Sequence, residues 1–158
     1  MRRQFVPFAA LLLALSLLLA GCMKDPVYAD IEAFDRYGAT ALRDTVSKDI
    51  EKRLLAAKSN GERIAILDEW IAMMDKNVSA VGAYKATTPE FGKIHKGLHE
   101  GLAITLDGAK QMRAALAANN SMMMDNAAIR VTQGNSRLVE EMTALRRLAA
   151  EKGYPLKE

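Results

Sequence analysis

Apolar residues recur at three- and four-residue steps through most of the chain beyond its first twenty or so positions, the spacing of a helical stripe. Val27, Ile31, Phe34, Leu42, Val46, Ile50 and Leu54 mark a first stripe that runs to about Lys58. Gly38 offers a kink or break in it, since glycine costs a helix interior roughly 1 kcal/mol against alanine. Ile64, Leu67, Ile71, Met74, Val78 and Val81 form the cleanest seam, with Trp70 beside it. Phe91, Ile94, Leu98, Leu102, Ala109, Met112 and Leu116 define a third inner face, and Ala128, Val131, Leu138, Met142, Leu145 and Ala149 a fourth. No β-rich alternating run occurs, so no strand is expected.

Start and stop signals separate these stripes. Asp25 is placed to cap a helix whose first position is Pro26, where a missing N–H costs nothing. Ser59-Asn60-Gly61 reads as a turn. The second helix ends near Tyr84, and Thr87-Thr88-Pro89 with Glu90 opens the third. Asn119-Asn120-Ser121 makes the next turn, and Gly153 with Pro155 ends the fourth helix after about Lys152. Short loops between consecutive helices favour antiparallel neighbours. The expectation is an all-α chain, an antiparallel up-down-up-down four-helix bundle over residues 26–158 with helices roughly 35 to 50 Å long.

The beginning of the chain reads as an address. Arg2 and Arg3 precede an apolar stretch from Phe5 to Ala20, interrupted only by Pro7 and Ser16. That stretch is shorter than the ~20 residues a membrane span needs, and it has the order of a secretory signal. Its end, Leu19-Ala20-Gly21-Cys22, resembles the lipobox of bacterial lipoprotein precursors. The resemblance implies that residues 1–21 are removed as a signal peptide and that the Cys22 thiol receives a diacylglyceryl group. Residues 22–25 are then a short tether. Burying acyl chains contributes about 0.8 kcal/mol per CH₂, and two or more chains anchor stably. The expected partners are the lipid bilayer, through acylated Cys22, and an envelope protein close to it. The expected location is the cell envelope, facing the periplasm or the exterior. Met23 follows Cys22 in place of the Asp that marks inner-membrane retention in enteric-type sorting, which favours the outer membrane.

Processing alters the charge balance. The 158 residues carry 22 basic and 19 acidic side chains. Losing Arg2 and Arg3 leaves 20 basic against 19 acidic, so the mature chain has no basic excess to recommend a nucleic-acid partner. Half of the residues are hydrophobic, which supports one packed domain and excludes wholesale disorder. A single Cys excludes an internal disulfide framework.

Candidate chemistry is sparse. His95 and His99 are the only histidines and lie four apart, a spacing that puts two imidazoles on one side of a helix, where they could grip Zn²⁺ or Cu²⁺. A third ligand would have to come from another helix; the other reading is a boundary pair covering the core. Met122, Met123 and Met124, with Met73, Met74 and Met112, are either soft ligands for Cu(I) or packing and contact residues. Gly97 and Gly101 leave a flat strip, suited to close packing inside the bundle or to docking a partner helix. Met122 and Met123, if exposed, would belong to the same kind of adaptable binding surface.

Bundle cofactors are not expected. There is no CxxCH, and Gly92 and Lys96 stand where a di-iron ExxH pattern needs glutamate. No nucleophile elbow or phosphate loop occurs, and the acidic residues read as solvated faces, so an enzyme is not expected. From Thr88 onward the chain is similar to a class of small helical lipoproteins from bacterial envelopes. The similarity rests on Thr88-Pro89-Glu90, Ile94-His95 followed by Leu98, and Gly134-Asn135 with Leu138. It implies an envelope location and assigns no catalytic residue. The leading expectation is therefore a membrane-anchored binding or scaffolding bundle, and the alternative is periplasmic Cu or Zn binding through His95, His99 and nearby Met.

Overall fold

The computed structural model describes residues 25–37 and 48–156. These form five helices: α1 (Pro26–Tyr37), α2 (Lys48–Ala56), α3 (Asn60–Ala83), α4 (Pro89–Ala117) and α5 (Ser121–Glu151). No strand occurs among the described residues, so the chain is all-α. The signal segment, Cys22, Gly38, Leu42 and Val46 lie outside them. The stripe expected to run to about Lys58, with Gly38 offering a kink or break, is described at its two ends by α1 and by α2, which closes at Ala56.

The helix ends follow the capping chemistry written in the sequence. Asp25 Oδ1 accepts the Val27 N–H at 2.8 Å. Ser59 Oγ accepts the Glu62 N–H at 3.2 Å, and the Glu62 carboxylate reaches back to the Lys58 N–H at 2.6 Å. Such reciprocal capping satisfies donors that a helix start leaves open. Asn119 adopts φ 49°, a left-handed conformation that asparagine tolerates, and the Asn120 side chain then caps α5 by accepting the Met123 N–H at 3.1 Å. Gly153 ends α5 at φ 69°, while the Tyr154 N–H returns to the Ala149 carbonyl at 2.8 Å.

α4 is central. Its contacts with α5 run in opposite directions along the two helices: Gly97 lies under Glu141, Gly101 under Leu138, and Gly108 under Val131 and Ala127. Exposed ion pairs follow the same order, Glu100 with Arg137 at 3.5 Å and Asp107 with Arg130 at 3.0 Å. On another side α4 meets α3, where Asp68 pairs with Arg113 at 2.7 Å and Asp75 with Lys110 at 3.1 Å. Surface pairs of this kind contribute about 0–1 kcal/mol each, so they fix register more than they hold the fold. The main stabilisation is apolar burial: Met74, Val81, Phe91, Leu98, Leu102 and Leu145 are buried together, each worth about 1.5–3 kcal/mol relative to exposure.

Two details of the expected inner faces change. Ala128 is exposed and Ala127 is buried in its place, because the buried set on α5 is Ala127, Gly134, Leu138, Leu145 and Ala149. Ala128 lies about 100° further round the helix, on the outer side. Second, the acidic residues are not all solvated. Asp30 and Asp35 of α1 are buried, on the same face as Val27, Ile31 and Phe34.

Candidate functional site

α1 lies at the end of the molecule where α3 stops, α4 starts and α5 ends. Asp30 ties α1 to the end of α3 and the start of α4. Its carboxylate, 2% exposed, accepts the Tyr84 hydroxyl at 2.9 Å, the Thr87 N–H at 3.0 Å and the Thr88 N–H at 2.7 Å. The Thr87 and Thr88 hydroxyls add bonds of 2.9 and 2.6 Å. Thr88 is the N-cap residue of α4, yet its side chain makes no bond to its own helix. The carboxylate from α1 takes its hydroxyl instead, and the negative charge sits favourably beside a helix N-terminus.

Burial alone would push the Asp30 carboxyl up. The Thr88 hydroxyl, the Thr87 and Thr88 N–H groups and the Tyr84 hydroxyl outweigh it and hold the carboxyl below its ordinary 3.8. Tyr84 is correspondingly pushed up, by burial first and then by its bond to Asp30. Replacing Tyr84 with Phe keeps the ring and removes one donor to a charged group. The expected cost is about 1.5–2 kcal/mol, read from the urea unfolding midpoint.

The Tyr84 ring belongs to an aromatic cluster with Phe34, Phe91 and His95, centroids 5.4 to 5.8 Å apart for the edge-to-face pairs. His95 completes it. Its Nε2 lies 2.7 Å from the Val81 carbonyl oxygen, so that nitrogen carries the proton and donates. His99 packs over Gly82, where a side-chain carbon would come within 2.8 Å of its Nε2. Both rings thus face the last turn of α3, where each meets different atoms. Among the described residues no group of three or more His, Cys, Asp or Glu side chains is gathered for a metal ion.

Gly97 and Gly101 are buried beneath α5. A carbon added at Gly101 would stand 2.9 Å from the Leu138 side chain and 3.1 Å from the Leu138 backbone nitrogen. Gly134 of α5 answers them, lying against Thr105 and the Gly101 carbonyl. The strip that could have received a partner helix is occupied by the chain's own last helix, and close backbone approach is what its glycines provide.

The outward side of the same helix pair is open. A shallow groove of ≈ 740 Å³ runs between α4 and α5, lined by Ile104, Ala128, Ile129, Thr132, Ser136 and Arg137 among others. Ile129 is 57% exposed, Val139 66% and Met122 74%, and Met123 is also exposed. Known protein families, curated proteins and solved structures offer no match to this chain.

The residues that sequence reasoning passed over are therefore Asp30 and Asp35. Their signal was available in register: Asp30 and Asp35 fall between and beside Ile31 and Phe34 on one helical face, and charge was read there as solvation. Asp35 meets the Tyr154 hydroxyl at 2.9 Å, which fastens the segment after α5 onto α1. Burial, with the Asp35 bond, pushes Tyr154 up to about 12.

Proposed function

We propose that this chain is a lipid-anchored, extracytoplasmic binding or scaffolding bundle at the cell envelope, which engages another protein through the outer face of α4 and α5. The observation that carries the reading is the set of exposed apolar side chains on α5, Met122, Ile129 and Val139, beside an open groove. Ile129 lines that groove together with Ile104 and Ala128, and apolar surface gathered at a groove with a polar rim marks an interaction site.

The finer architecture proposed is an up-down-up-down four-helix bundle in which α1 and α2 form the first arm. Three contacts support it. At one end Lys152, after α5, bonds Asp25 at 2.9 Å. At the other, Arg53 of α2 pairs with Glu69 of α3 at 2.6 Å, and Arg63 donates to the Ala57 carbonyl at 3.2 Å. The first arm thus runs from the end where α4 starts to the end where α3 starts.

The anchor is the lipobox-like Leu19-Ala20-Gly21-Cys22. Only Met23 and Lys24 separate Cys22 from the cap at Asp25, a reach of roughly 10 Å if extended. No helix among the described residues is long and apolar enough to cross a membrane. A lipid on Cys22 would supply the attachment and hold the Asp25 end near the headgroups.

Three measurements test this. Cys22→Ala is expected to move the protein from the membrane fraction to the soluble fraction, and the intact mass of the cell-derived wild type should include the diacylglyceryl thioether. An unmodified Cys22 removes the anchor from the reading. A photo-crosslinking residue at Ile129 should capture a partner in envelope preparations, whereas one at Ala72 on the exposed side of α3 should not. Equal capture at both positions removes the binding face.

A further inference from the structure

We infer that the occupant of the α5 outer face is a second copy of this chain, paired antiparallel about Ser136. The inference rests on the proposed binding face and names its partner. Asp125, Ile129, Ser136, Thr143 and Arg147 are all exposed and share one side of α5. Their steps are four, seven, seven and four residues, so the series reads the same from either end. An antiparallel two-fold axis at Ser136 therefore sets Asp125 against Arg147 of the other copy, twice, and Ile129 against Thr143, twice.

The chemistry of each pairing fits. Asp125 and Arg147 form no ion pair among the described residues, so each is available across the axis. The Thr143 hydroxyl donates to the Val139 carbonyl at 2.8 Å, which satisfies it and leaves the methyl group to face Ile129. Ser136 is small enough for two helices to cross closely. Glu140 meets Thr132, whose hydroxyl is likewise turned to its own helix, at the Ala128 carbonyl. A parallel pairing would instead oppose Asp125 to Asp125, Glu140 to Glu140 and Arg147 to Arg147. Charge thus selects both the occupant and its direction.

Antiparallel copies hold their Asp25 ends roughly 46 Å apart, the length of the 31-residue α5. Lipid on both copies would then share one bilayer only with the helix axes lying along it, so the test is best made in detergent micelles, where anchors impose no direction. Sedimentation of the full chain there should show a dimer. Asp125→Arg and Arg147→Asp should each weaken self-association roughly tenfold, since each turns two attractive contacts into repulsive ones. An equimolar mixture of the two variants should recover the dimer, because position 125 of either variant then faces an opposite charge at position 147 of the other. The helical circular-dichroism signal should match that of the wild type for both. A chain that stays monomeric, or a dimer indifferent to either variant, overturns the inference. Crosslinking from Ile129 to a different protein without self-crosslinks overturns it too, while leaving the binding face intact. Absence of any crosslink from Ile129 removes both.

Discussion

Gly134→Val is expected to cost about 3 kcal/mol and to lower the midpoint of thermal unfolding, at the upper end of what overpacking does. A carbon added there would meet the Thr105 hydroxyl, the Thr105 backbone nitrogen at 2.6 Å and the Gly101 carbonyl oxygen at 2.8 Å. A hydroxyl can rotate; the backbone of a helix cannot yield without moving the whole of α4. Because Gly101 and Gly108 approach α5 as closely at neighbouring turns, the displacement would open the entire interface. Gly92→Ala is the internal control. Its added carbon meets only the Ala86 side chain at 3.7 Å, an ordinary contact, and helix propensity gains roughly 1 kcal/mol. Opposite shifts in the calorimetric midpoint for these two variants would locate the close approach. Similar shifts would place the loss elsewhere.

Asp30→Ala is expected to destabilise by about 3 kcal/mol, since it removes the charged acceptor on which part-buried donors of Tyr84, Thr87 and Thr88 converge. The pH dependence supplies a sharper test. The folded carboxyl titrates below its ordinary 3.8, so the stabilisation it provides is fully present above pH 3.8 and is lost as pH falls through the lower folded value. Wild-type urea midpoints should drop steeply in that acid window, and those of Asp30→Ala should start lower and drop less. Parallel acid limbs for the two proteins would exclude Asp30 as the titrating group. The tyrosines act at the other extreme. Tyr154 is raised to about 12, so its neutral form contributes stability present below 10, which is lost as pH rises towards 12.

Helix punctuation was legible because it is local chemistry: Asp25-Pro26, Thr88-Pro89, Asn119-Asn120 and Gly153 act within a turn of where they stand. The seam of α3 was equally plain, as Leu67, Met74 and Val81 are all buried. Apolar count failed where small or polar residues form the interface. Thr105 and Gly134 are buried on facing helices and carry no hydrophobic signal, and nothing local separates the buried Ala127 from the exposed Ala128, both being alanine. Asp30 was hidden for a different reason. Its worth depends on donors more than fifty residues away, and no periodicity records such a pairing.

The Lys152 bond to Asp25 brings the start of the first described helix beside the finish of the last. Reporter proteins fused after Tyr154 would therefore crowd the same end as the tether. The turn at Asn119-Asn120, at the far end of α4, is a site where a fluorescent insert or an epitope would project clear of that end.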